Sequence, residues 1–156
     1  MVTDSMRLYD ISRTLTPALA VWPGDTPFHY EHVLRRADGA AVNLTTITLS
    51  SHSGSHADAP YHVADDPRHP ADLPLAPYIG PAHVVSIPRQ HGGITPSDLE
   101  GHDLAGMERL LIHTWVSDLP DRTWPEDFPY PTLELVDWLA AQGVVLLGLD
   151  SPSMDA

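Results

Sequence analysis

Apolar and polar residues alternate along this chain in short runs, each cut off by proline or glycine. Residues 7–12 (RLYDIS) alternate with the period of two expected of a half-buried strand. Residues 28–36 and 42–50 read as two more strands, the second (VNLTTITLS) rich in β-branched side chains. Ala37-Asp38-Gly39 lies between them as a turn signal, so the pair is predicted to form a hairpin. Residues 83–87, 110–115 and 144–149 are further strand candidates. The last is an almost unbroken apolar run, as in a strand covered on both faces, and residues 146–150 are expected at the centre of a sheet. Helices are fewer. Thr95-Pro96-Ser97-Asp98 combines an N-cap, a proline at the first helical position and an early acid, and Gly101 keeps that helix short. Residues 132–142 place Leu135, Val136 and Leu139 on one face, with Gly143 where a C-cap glycine belongs. The prediction is an α+β fold, β-dominated, with one or two helices.

Length and composition set limits on that picture. The chain has 156 residues, 42% of them hydrophobic, which suits a single domain with a real core. The 16 prolines and 10 glycines are spread out rather than gathered into a linker, so residues 1–156 are read as one domain. The net charge of -13 would repel phosphate backbones, so no nucleic-acid partner is expected. There is no apolar run long enough to span a bilayer, and the first residues lack a basic flank followed by an apolar stretch. No membrane association is expected, and a cytoplasmic setting is.

Three features of the composition narrow the chemistry. Without cysteine there is no thiol nucleophile, disulfide or thiolate metal site. All eight basic residues are arginine, so Schiff-base lysine chemistry is excluded. The 10 histidines outnumber the arginines, and any transition-metal site must be built from imidazole and carboxylate.

Residues 51–62 (SHSGSHADAPYH) concentrate that chemistry. They hold three histidines, an aspartate and a glycine, no bulky aliphatic residue, and they follow directly on a predicted strand. His52, His56 and Asp58 have the spacing H-x3-H-x-D. Gly54, the serines and Pro60 argue against a helix, so these side chains are expected to converge from a turn and to bind zinc or manganese. His62 is open to two readings, a further ligand or a general acid/base. Pro60 redirects the chain before it, which favours acid/base. The plainer alternative, a polar surface loop, fits poorly with so dense a set of imidazoles. It is retained for the other seven of the ten histidines. Ser55 lacks the G-x-S-x-G setting of a nucleophilic serine. Residues 21–28 (VWPGDTPF) pair rigid prolines with a glycine and two aromatics. Two readings stand level: a core-capping loop that buries Trp22, or the wall of an aromatic ligand pocket.

These stretches together resemble the metal-dependent kynurenine formamidases of the cyclase-like hydrolase family. The motif H-(S/T)-G-(S/T/A)-H-x-D-x-P-x-H is met by His52, Ser53, Gly54, Ser55, His56, Asp58, Pro60 and His62. Val21-Trp22-Pro23-Gly24-Asp25 resembles the kynurenine branch, and Gly148-Leu149-Asp150-Ser151-Pro152-Ser153 resembles a G-(I/L)-D-(S/T)-P-S stretch of those enzymes. The resemblance runs from Tyr9 to Asp155. It implies a swivelling β/β/α fold, a homodimer and a two-metal site, usually zinc. In that reading His52 and His56 bind one metal, Asp58 bridges both, His62 is the proton donor/acceptor, and Trp22 contacts an aromatic formamide substrate, with Phe28 or Tyr61 lining the pocket. Family members continue beyond the Asp150 stretch and supply a further His and Glu to the metals. The chain is therefore expected to lack a C-terminal segment that follows Ala156, and with it those ligands of the second metal. Alternative readings are a hydrolase of isatin-type cyclic amides, or a non-catalytic metal-binding or dimerisation module.

Overall fold

A computed structural model describes residues 9–155. The chain gathers into two compact units, Met1–Asp58 and Ala59–Ala156.

The first unit is built on an antiparallel hairpin of β1 (His29–Leu34) and β2 (Leu44–Thr48). Tyr30 stands opposite Ile47 and His32 opposite Thr45, with an irregularity between His32 and Leu34. The connection is a single 3-10 turn, Arg36–Asp38, closed by Gly39 at φ 91°. The Asn43 side chain accepts the Arg36 backbone N–H at 2.8 Å, which joins the two ends of the connection. Turn chemistry and β-branched content thus place the hairpin where the pattern predicts it. The expected strand at 7–12 differs. Residues 9–12 form no strand, and Arg7 and Leu8 lie outside the described residues. The Ser12 N–H donates to the Asp10 carboxylate at 2.9 Å. That local bond occupies a backbone donor a ladder would need, and alternation alone supplies no pairing partner.

The second unit holds a parallel three-stranded sheet in the order β3-β5-β7, with β3 spanning His83–Ser86, β5 Arg109–His113 and β7 Leu146–Leu149. Val85 pairs with Ile112, and Ile112 in turn with Leu149. Among the described residues 146–149 is therefore not central: β5 is the middle strand, and β7 lies at the edge. The apolar run predicted cover on both faces, and its residues are only half-buried. It says nothing of which strand has neighbours on both sides, because that depends on pairing.

Leu135 and Leu139 of α2 (Leu133–Ala141) are buried in one core with Val85, Leu110 and Ile112 of the sheet. The helix ends are as the sequence predicts. The Thr132 hydroxyl accepts the Leu135 N–H at the N-cap, and Gly143 follows the last turn at φ 82°. The short helix near Thr95 is a single 3-10 turn, Pro96–Leu99, held by a reciprocal Thr95/Asp98 capping box. Two short strands escaped the pattern, β4 (Gly92–Ile94) and β6 (Pro129–Pro131), which pair in parallel. Gly-Gly and Pro-Tyr-Pro carry no strand signal of their own. Their pairing feeds α2, since Thr132 donates both its N–H and its hydroxyl to the Ile94 carbonyl at 2.9 Å. A one-turn helix, α1 (Pro60–Val63), opens the unit with proline at its N-terminus.

In the stretch that resembles G-(I/L)-D-(S/T)-P-S, Asp150 ties the ends of two neighbouring strands together. Its carboxylate accepts the Thr114 N–H at 2.7 Å, the Thr114 hydroxyl at 2.8 Å and the Ser117 hydroxyl at 2.7 Å. Among the described residues no helix is long and apolar enough to cross a membrane.

Candidate metal centre

After β2 the backbone turns through residues 50–58 without forming a helix. The Ser53 N–H closes the first turn on the Ser50 carbonyl at 3.1 Å. Gly54 follows at φ 64°, a left-handed conformation that glycine adopts without strain. This reversal brings the Gly54 carbonyl within 2.9 Å of His56 Nδ1. A carbonyl can only accept, so Nδ1 is the donor, and in the neutral imidazole this leaves His56 Nε2 with a lone pair.

Three donor atoms then converge. His52 Nδ1 lies 3.1 Å from His56 Nε2 and 3.1 Å from Asp58 Oδ1, and His56 Nε2 lies 3.4 Å from Asp58 Oδ1. The two imidazoles meet edge to face, their planes 87° apart. Zinc bonds of about 2.0–2.1 Å in a tetrahedron place neighbouring ligand atoms about 3.3–3.4 Å apart. The observed triangle is close to one face of such a tetrahedron. His56 Nε2 and the carboxylate are both electron-pair donors, and a cation among the three atoms satisfies all of them at once. Nitrogen and oxygen ligands of this kind suit a borderline divalent ion, and three protein ligands is the number typical of catalytic zinc sites. His52 is half-buried, while His56 and Asp58 are exposed, so the group is open to solvent.

The segment before the hairpin packs on this loop. The Arg13 N–H donates to the Ser55 hydroxyl at 3.4 Å, and a Cβ on Gly54 would meet Leu15 Cδ2 at 2.9 Å. Gly54→Ala is expected to lose about 1–3 kcal/mol of stability, since a left-handed backbone and a tight contact both oppose the methyl group. A urea titration checks it: an unchanged midpoint would show that the loop relaxes freely.

The Trp22 loop belongs to the same unit. Trp22-Pro23-Gly24-Asp25 forms a turn closed by the Asp25 N–H on the Trp22 carbonyl at 2.9 Å. Proline second and glycine third at φ 92° are the residues a type II turn requires. Trp22 is 52% exposed, which sets aside the core-capping reading and leaves the indole presented on a rigid turn. Asp25 accepts the Thr26 N–H at 2.6 Å. The Ser50 hydroxyl, then the Thr26 N–H and the nearby His52 ring, hold the Asp25 carboxyl below its ordinary range.

Sequence-predicted site residues are therefore divided between the units. His52, His56 and Asp58 come together, and Trp22 stands on a turn of their own unit. His62 lies on α1 of the second unit, exposed, with its N–H on the Ala59 carbonyl at 2.9 Å. Beside it the Tyr61 ring packs on His69, ring centroids 4.2 Å apart and planes tilted by 36°.

The Cyclase family profile, described as "Putative cyclase", matches residues 9–156. A kynurenine formamidase of Erythrobacter litoralis is 43% identical over 149 residues, covering 96% of this chain and 68% of the relative. One from Geobacillus thermodenitrificans is 41% identical over 150 residues, covering 94% and 69%. One from Salinibacter ruber is 40% identical over 151 residues, covering 96% and 71%. A solved structure described as a predicted metal-dependent hydrolase from Bacillus stearothermophilus superposes with a TM-score of 0.75 at 19% identity, covering 95% of this chain and 70% of that one. At that identity the likeness carries the fold, and it agrees with the α+β architecture. With a profile match across the described residues and relatives at this identity, the chain belongs to the Cyclase family.

Proposed function

We propose that this chain is a metal-dependent amide hydrolase that cleaves N-formyl-L-kynurenine to L-kynurenine and formate, a step of tryptophan degradation. The observation that carries the reading is the convergence of His52 Nδ1, His56 Nε2 and Asp58 Oδ1 within 3.4 Å of one another. Relatives named kynurenine formamidase, at 37–43% identity, support the choice of substrate. His52, His56 and Asp58 would hold the ion, zinc or else manganese. A divalent ion bound there supplies a Lewis acid for the formyl oxygen and lowers the pKa of water.

The chain's own residues do the rest. The Gly54 carbonyl keeps His56 in the tautomer that leaves Nε2 available. His62 is the proton donor/acceptor: it delivers a proton to the aniline nitrogen as the C–N bond breaks, so that one water and one formamide become formate and an amine. Its motif position, four residues beyond Asp58, supports that role. Trp22 offers its ring face to the substrate ring from a turn whose proline and glycine restrict the backbone. A homodimer rests on the family resemblance, as does a second zinc, for which family members supply a further His and Glu from beyond the Asp150 stretch; the cytoplasmic setting and the assignment of residues 1–156 to one hydrolase domain rest on length and composition.

The test supplies zinc to the purified chain and follows N-formyl-kynurenine. Formate and kynurenine should appear in equal amounts. A zinc-loaded chain that releases neither overturns the proposal, and release only from an isatin-type cyclic amide would reassign the substrate. In the same assay Trp22→Ala should raise KM for N-formyl-kynurenine about 2- to 10-fold, the worth of one stacking contact of about 0.5–1.5 kcal/mol. A small formamide without a ring should be affected less. Equal losses on the two would make Trp22 structural.

A further inference from the structure

We infer that His69 is a positioning residue for His62, acting through Tyr61, and that residues 66–72 brace the one-turn helix α1 on which His62 stands. The inference rests on the reading of His62 as the proton donor/acceptor and goes beyond it.

The need for a brace follows from the size of α1. The helix is four residues long, and none of them is buried. It closes on two backbone bonds, Ala64 N–H to the Pro60 carbonyl at 3.0 Å and His62 N–H to the Ala59 carbonyl at 2.9 Å. One turn fixes several dihedrals for so few bonds, so it is not stable by itself. A hold from outside the helix comes at Tyr61, the neighbour of His62. The Tyr61 N–H donates to the Arg68 carbonyl at 3.3 Å, and the Tyr61 ring lies against His69 with centroids 4.2 Å apart. Two consecutive residues of one segment thus grip one residue of the helix, by backbone and by ring.

That segment is itself stiff. Arg68 and His69 stand between Pro67 and Pro70. His69 is extended at φ -90° and ψ 169°, the backbone a residue before proline prefers. The Asp66 carboxylate accepts the Arg68 backbone N–H at 2.9 Å and its guanidinium at 2.6 and 3.0 Å. Those bonds hold the Asp66 carboxyl down at about 2. Asp72 holds His69 in turn: its carboxylate accepts the His69 N–H at 2.9 Å, and its own N–H donates to the His69 carbonyl at 2.9 Å. One acid therefore fixes each of the two residues that meet Tyr61. His69 is among the seven histidines that spacing leaves as ordinary surface residues, and the flanking prolines were the only local sign. Its ring acts here by contact, so phenylalanine should serve in its place.

Amide hydrogen exchange and steady-state kinetics on the intact, zinc-loaded chain test this together. In His69→Ala the Tyr61 and His62 amides should exchange about 2- to 10-fold faster, the worth of one ring contact. In the same variant kcat should fall between about 3-fold and about 100-fold, the upper end being the cost of moving a reacting group by about 1 Å. The fall in kcat should exceed any rise in KM, and zinc content should hold. Asp72→Ala should move both readouts the same way, and His69→Phe should restore both. In a His62→Ala background His69→Ala should cost no further turnover, because the group it positions is gone. Wild-type exchange and kcat in His69→Ala would overturn the inference and leave His62 its role. So would a His69→Phe variant as slow as His69→Ala, a loss carried wholly in KM or zinc content, or additive losses in the double variant. A His62→Ala variant with wild-type kcat would overturn that role and the inference with it.

Discussion

Asp58→Asn is expected to bind zinc more than about 100-fold more weakly than the wild type, beyond the upper end of what losing an outer partner costs. Asp58 is the only anion in the triangle, and its Oδ1 lies 3.1 Å from His52 Nδ1 and 3.4 Å from His56 Nε2. Asparagine keeps the shape, so the fold has no reason to change, but it replaces a full negative charge with an amide dipole. Two neutral imidazoles are then left to hold a divalent ion in a site open to water. Metal per chain after passage over a chelator is the direct measurement. It should fall from the wild-type value towards zero, and turnover should fall with it. A variant that retains wild-type metal content would show that the carboxylate faces solvent in the working protein and that the triangle is a hydrogen-bonded cluster only.

His62→Ala should leave metal content unchanged and still lower turnover. His62 is exposed on α1, where alanine is well tolerated, so stability should hold. A positioned general acid/base contributes about 10²- to 10⁴-fold, and kcat should drop by that order with the metal retained. The pH–rate profile adds a readout that a structural role would leave alone: the variant should lose one limb of the wild-type profile. Weak external bases of imidazole type should restore part of the rate if the missing function is proton transfer. Loss of metal in this variant would make His62 a ligand and move the proton donor elsewhere.

Together these two variants separate the roles within one motif. Residues 52–62 are close in sequence, yet Asp58 and His62 fall in different compact units. Spacing alone predicted that His52, His56 and Asp58 converge. Spacing left a helix open, because H-x3-H also suits one helix face, and Gly54, the serines and Pro60 pointed to a turn instead. Gly54 at φ 64° and its carbonyl on His56 form that turn. Both are local, and the glycine was the visible sign.

What could be read from the sequence has this local character throughout. The hairpin follows from β-branched runs around Ala37-Asp38-Gly39. The ends of α2 follow from Thr132 and Gly143, the type II turn from Pro23-Gly24, and the ligand triangle from three residues within seven positions. In each case the groups that interact are neighbours along the chain, so residue type and spacing are sufficient. The tertiary structure alone decided which strand is central, that 9–12 pairs with no strand among the described residues, and that β4 and β6 pair. Those outcomes join positions far apart in the chain. They are made largely by backbone N–H and C=O groups, which are alike in every residue, and by single hydroxyl and carboxylate groups whose partners no local pattern names. Side-chain pattern determines which segments can be strands and turns, and packing among distant segments determines which of them meet.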